Sequence, residues 1–139
     1  HADFNRHERL KLDRRVNTFV YMNEDWPDAF GGHLELWNRR MDQCVQRIAP
    51  VFNRLVVFST TDFTYHGHPE PLACPAHRSR RSFALYFYTN GRPAGEEVDP
   101  RAEAEHSTLY VERKCASCLN PQCQAFLRHS QMAHPKTMG

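Results

Sequence analysis

Three short groups of residues carry the chemistry this sequence can offer. His1-Ala2-Asp3 sets an imidazole and a carboxylate two residues apart. On an extended segment both point to the same side, which suits two ligands of one metal ion. Further on, His66-Gly67-His68 offers two more imidazoles. The third group is Ser79-Arg80-Arg81-Ser82-Phe83-Ala84-Leu85-Tyr86-Phe87-Tyr88-Thr89, basic at one end and aromatic along its length. Read as a strand, it puts Arg80, Ser82, Ala84, Tyr86 and Tyr88 on one face. Arg81, Phe83, Leu85 and Phe87 fall on the other. A guanidinium beside a hydroxyl on an apolar wall can hold a small carboxylate in a dry pocket. Each group also has a plainer reading. H-x-D triplets arise by chance, and the end Arg of an amphipathic strand can sit in solvent.

The elements that would position these groups are mostly strands. Residues 5–14 are polar and charged and read as a loop. Val16 to Asn23 reads as a buried strand, and Asn23-Glu24-Asp25-Trp26-Pro27-Asp28 is turn chemistry. Gly31-Gly32 allows a tight bend. His33 to Trp37 alternates and reads as a second strand, with Leu34 and Leu36 on one face. Asn38 to Ile48 has no clean period and reads as a loop with some helical turn. Leu55 to Phe58 is a short strong strand, and Thr60 to Pro75 reads as irregular. Asn90-Gly91-Arg92-Pro93 closes the last strand. Strands with turn signals between them predict an antiparallel, mainly β double-sheet jelly roll over residues 1–93. Residues 94–139 are read as an acidic exposed segment and a Cys/His-containing tail, within which 105–110 is a candidate extended segment docking back on the sheet.

Length and composition set the outer bounds. The chain has 139 residues, 40% hydrophobic and 24% charged, enough for one domain with a core. A net charge of +2 is too small to argue for nucleic acid or an anionic membrane as partner. No apolar run approaches the ~20 residues of a membrane span, and no leader is read. Five Cys is an odd number, so a complete intrachain disulfide set is impossible; a reducing, cytoplasmic location is expected. The first residue is His and opens in mid-motif, so the sequence reads as a fragment or a mature form.

Combined, His1, Asp3 and a His after the Phe58 strand make two imidazoles and one carboxylate. Bound on one face of Fe(II), they leave three positions open for a bidentate 2-oxo acid and O2. The far carboxylate of such an acid needs a cationic clamp, and Arg80 meets that need. At this point the chain resembles the 2-oxoglutarate- and Fe(II)-dependent dioxygenases, in the branch of the prolyl hydroxylases. His-Ala-Asp-Phe resembles the family's H-x-D. Tyr21-Met22-Asn23-Glu24-Asp25-Trp26 followed by Gly31-Gly32-His33-Leu34 resembles its Y-x-N-x-x-W…G-G-x-L. Arg80-Arg81-Ser82 resembles its R-x-S.

The resemblance implies a double-stranded β-helix. Members normally carry helices and a core strand before the first ligand, so this one is expected to be incomplete at the N-terminus, and weaker in folding and iron binding. It implies that His1 and Asp3 ligate iron, that Arg80 clamps 2-oxoglutarate with Ser82 assisting, that Tyr21 helps hold the same carboxylate, and that Leu34 lines the pocket. The third ligand is taken as His66, with His68 as the alternative. The motif around Tyr65-His66 favours the former, whereas the gap to Arg80, 14 residues from His66 and 12 from His68, favours the latter. The implied cofactors are Fe(II), 2-oxoglutarate and O2, with ascorbate (vitamin C) as an accessory. The implied reaction hydroxylates an unactivated C–H bond and releases succinate and CO2. The substrate is a prolyl residue in a protein, or a small molecule; the oligomeric state is open.

Two other readings stand beside this one. An amino-terminal His can bind copper through amine and ring together, as in lytic polysaccharide monooxygenases, but that leaves Arg80 and Gly31-Gly32 without a role. A metal-binding jelly roll could also serve interaction alone. In the tail, Cys115-x-x-Cys118-x4-Cys123 with His129 and His134 has zinc-ligand types at irregular spacing. Exposed thiols are the favoured reading there, and Cys44 and Cys74 are expected to be unpaired.

Overall fold

The longest run of β-forming residues becomes the central strand of the main sheet. In the computed structural model, which describes residues 1–7, 9–93 and 108–111, the strands are β1 (Arg6–His7), β2 (Leu12–Tyr21), β3 (Leu34–Trp37), β4 (Cys44–Ile48), β5 (Leu55–Ser59), β6 (Tyr65–Gly67) and β7 (Ser82–Thr89). A 3-10 turn, Asp28–Phe30, precedes β3. β2 pairs antiparallel with β7 along one edge, and with β1 and then β5 along the other. The second sheet runs β4-β3-β6, also antiparallel. The architecture is mainly β and jelly-roll-like, as expected. No helix among the described residues is long and apolar enough to cross a membrane.

The core lies between the sheets. Tyr21, Leu34, Val56 and Phe58 are buried together, with Phe19, Leu36 and Ile48 packed around them. Burying such side chains supplies about 1.5–3 kcal/mol each. The opposite face of the main sheet is apolar and open: Leu55, Val57, Phe83, Leu85 and Phe87 are all exposed.

Several stretches differ from expectation. Residues 5–14 are not all loop, since they contain β1 and the start of β2. Two of their charges are paired: Asp13 lies 3.7 Å from Arg92, and Arg14 lies 3.0 Å from Asp3. The stretch 38–48 forms a hairpin, not a helical turn. Asn38 accepts from the Asp42 N–H through its side chain and donates its own N–H to Gln43. The strand that follows, β4, is the edge of its sheet, and Val45, Gln46 and Arg47 are exposed. An edge strand with an open face has no need of an apolar period. The irregular 60–75 stretch contains β6, too short to leave a pattern. β7 starts at Ser82, so Arg80 and Arg81 precede it.

Leu109 forms an antiparallel bridge with Ala2, each N–H donating to the other's carbonyl at 2.8 Å. Residues 108–110 of the anticipated docking segment thus lie against the start of the chain. The acidic stretch from 94, and Cys115, Cys118, Cys123, His129 and His134, lie outside the described residues. Neither Cys44 nor Cys74 is in a disulfide.

Candidate metal centre and anion clamp

His1 and His66 face each other across an antiparallel pair. The His66 N–H donates to the His1 carbonyl at 2.8 Å, and the His1 amino group donates to the His66 carbonyl at 3.1 Å. Directly opposed residues project to the same face, and the two imidazole centroids are 4.5 Å apart. Asp3 lies two residues on, so alternation returns its side chain to that face. One ligand atom from each of His1, Asp3 and His66 falls within 4.8 Å of the others. His1 Nε2 is 3.4 Å from Asp3 Oδ1, and His66 Nε2 is 3.5 Å from Asp3 Oδ2.

The donor set suits a divalent cation. His66 Nδ1 lies 3.0 Å from the Thr64 carbonyl. A carbonyl can only accept, so Nδ1 carries the proton and Nε2 turns its lone pair toward the cluster. His66 is buried and its ring packs on Phe58 at 4.8 Å. Burial alone would raise the Asp3 carboxyl; its side-chain interactions with His1, His66 and Asn17 outweigh that and hold the group well below the usual carboxylate range. Asp3 is therefore an anion at neutral pH. His68 is exposed, two residues past His66, and is not part of the cluster. The copper arrangement would need the His1 amine beside its ring on one ion, and here the amine donates to His66.

Asp3 is held from behind. Asn17 Nδ2 donates to Asp3 Oδ2 at 2.6 Å, and Arg14 Nη2 lies 3.0 Å from the same oxygen. Both come from β2. Neither stood out in the sequence, although a lone Asn inside an apolar run was a signal available there.

Arg80 is aimed by the residues of the Y-x-N…G-G-x-L stretch. Its Nε donates to the Gly32 carbonyl at 2.7 Å, and its Nη2 donates to the Tyr21 hydroxyl at 3.0 Å. Tyr21 is fully buried, and its ring lies 5.0 Å from the guanidinium carbon. Burial raises the Tyr21 phenol, more than Arg80 lowers it, so it stays neutral and can donate its proton to an anion. Gly32 has φ +73, and a Cβ there would meet Leu72 Cδ2 at 2.6 Å and Arg80 Cδ at 2.7 Å. Asn23 accepts from the Arg81 N–H at 2.5 Å and donates to the Pro50 carbonyl at 2.6 Å. It pins the backbone beside Arg80. Leu34 is buried against Tyr21 in the core. Ser82 pairs in register with Tyr21 but is exposed, and no hydrogen bond joins it to Arg80 among the described residues.

A family model described as the 2OG-Fe(II) oxygenase superfamily matches residues 1–88, the stretch that carries both the metal cluster and the Arg80 clamp. Searches of curated proteins and of solved structures returned no match.

Proposed function

Since the chain belongs to the 2OG-Fe(II) oxygenase superfamily, we propose that it is an Fe(II)- and 2-oxoglutarate-dependent hydroxylase with its iron on His1, Asp3 and His66. The observation that carries this reading is the convergence of those three side chains, with ligand atoms within 4.8 Å. Two imidazoles and one carboxylate on one face match the ligand set of non-haem Fe(II) oxygenases. Bound Fe(II) and 2-oxoglutarate would supply oxidative decarboxylation coupled to hydroxylation of a C–H bond.

The chain's own residues do the rest. His66 presents Nε2 because Thr64 holds its other nitrogen. Asp3 supplies a negative charge close to the imidazoles. Arg80 and Tyr21 receive the distal carboxylate of 2-oxoglutarate, one as a fixed cation and the other as a neutral donor. Leu34 backs the clamp with apolar surface. The substrate we favour is a prolyl residue in a protein, on the strength of the Tyr21–Trp26 and Gly31–Leu34 stretches. A small molecule such as a free amino acid is the competing class. Ascorbate would serve as an accessory reductant, and the odd cysteine count supports a cytoplasmic location.

The test is succinate release from 2-oxoglutarate with Fe(II) under air, for the wild type and Arg80→Ala. Turnover that Arg80→Ala loses at low 2-oxoglutarate supports the reading. Absence of succinate from the folded, iron-supplied wild type would overturn it. Mass spectrometry of proline-containing peptides, for one added oxygen, then separates the substrate classes.

A further inference from the structure

We infer that Arg14 and Asn17 are positioning residues that restrict Asp3 to a single-oxygen ligand, an inference that rests on the metal centre proposed above. Oδ2 of Asp3 receives Asn17 Nδ2 at 2.6 Å and Arg14 Nη2 at 3.0 Å. A carboxylate oxygen has two lone-pair sites, and two donors fill those of Oδ2. Although Oδ2 is also 3.5 Å from His66 Nε2, its lone pairs are already engaged. Oδ1, 3.4 Å from His1 Nε2, is the oxygen left to a metal ion.

The donors are themselves locked. Arg14 Nε donates to Asn17 Oδ1 at 3.0 Å, so the two side chains act as one unit. The guanidinium carbon of Arg14 lies 4.8 Å from the Phe4 ring centroid and 4.0 Å from that of Tyr86. Arg14 and Asn17 are both buried, so the unit sits away from water. A regular strand would send residues 14 and 17 to opposite faces. The ladder between β2 and β7 shifts between Arg14 and Val16, which leaves Arg15 as an extra residue. That bulge turns Arg14 back to the face of Asn17.

The count of positions gives this arrangement its purpose. Two imidazoles and one carboxylate oxygen take three positions of an octahedral ion. A carboxylate binding through both oxygens would take a fourth. Too few would then remain for a bidentate 2-oxo acid together with a third ligand. Holding Oδ2 from behind keeps the third position open.

The test uses Co(II) as a spectroscopic probe on the full chain, without oxygen or 2-oxoglutarate. The variants are Asn17→Leu, Arg14→Gln and Arg14→Lys, with Asp3→Ala as control. Circular dichroism and thermal unfolding identify the variants that remain folded. Asn17→Leu and Arg14→Gln are expected to weaken Co(II) binding about 10- to 100-fold, and Arg14→Lys to recover part of that loss. Infrared difference spectra with labelled aspartate read the binding mode. The wild type should show widely split, one-oxygen carboxylate stretches upon Co(II) addition, and the folded variants narrower splitting. Unchanged affinity and splitting in either folded variant, against a wild type that binds better than Asp3→Ala, overturns the positioning role alone. A wild type that binds no better than Asp3→Ala overturns the metal centre and this inference with it.

Discussion

His1 and His66 exchange both backbone hydrogen bonds of an antiparallel pair while their rings stand 4.5 Å apart on the same face. The sheet itself therefore sets the spacing of the two imidazoles. On the proposed reading, a metal ion would meet two imidazoles that already face one another. That pairing separates His66 from His68, the two candidates the sequence left open.

His66→Ala should weaken Co(II) or Fe(II) binding about a hundredfold or more, because the site's binding energy is divided among few ligands. His68→Ala should stay within about twofold, since its exposed ring lies outside the cluster. Calorimetric titration of both variants checks this. Equal losses in the two would count against His66 as the third ligand.

Tyr21→Phe removes one neutral donor from the clamp and one of the two acceptors that aim Arg80, but keeps the cation and its bond to the Gly32 carbonyl. A hydrogen bond of this kind is worth about 0.5–1.5 kcal/mol, or more to a charged group. The Kd for 2-oxoglutarate should rise roughly 3- to 30-fold with little change in metal affinity. Arg80→Ala, which removes the cation, should cost more than Tyr21→Phe. Binding of 2-oxoglutarate to the metal-loaded protein, followed by fluorescence, ranks the two.

Gly32→Ala combines two faults. A side chain at φ +73 costs about 1–2 kcal/mol, and the new Cβ would run into Leu72 and Arg80. The expected result is a lower Tm together with loss of 2-oxoglutarate binding, while Co(II) still binds. A variant with unchanged 2-oxoglutarate affinity would show that Arg80 does not depend on this close approach.

Asp3 makes stability depend on acid in a definite direction. Its carboxyl is held below the usual range in the folded chain, whereas unfolded it titrates near ~3.9. The stability it contributes is thus complete above that value and is lost as pH falls below it. Metal-free wild type should exceed Asp3→Asn at about pH 5, and the margin should shrink toward about pH 2. Urea unfolding across this range measures it. A margin that grows in acid would mean the carboxyl is raised instead.

What the sequence made legible follows from how locally each feature is encoded. H-x-D needs only the period of a strand, and Tyr21, Gly32 and Arg80 fall within short recognisable motifs. The structure brings Tyr21, Gly32 and Arg80 together. Arg14 was hidden because the bulge at Arg15 breaks the two-residue period on which face assignments rest. β4 was hidden because an edge strand open to water needs no apolar alternation. Ser82 had the right register, but its surroundings, set by the chain's path before β7, leave it exposed.

The bridge between Ala2 and Leu109 bears on how a substrate can approach. The His1–Asp3 segment is paired to His66 on one side and to Leu109 on the other. At Ala2 it is therefore no free edge and offers no bare row of N–H and C=O groups for strand addition. A peptide cannot reach the imidazoles by extending this sheet sideways. A peptide substrate of the kind proposed would have to arrive over the face on which the two rings stand, and selection among peptides would then fall to the side chains rimming that face.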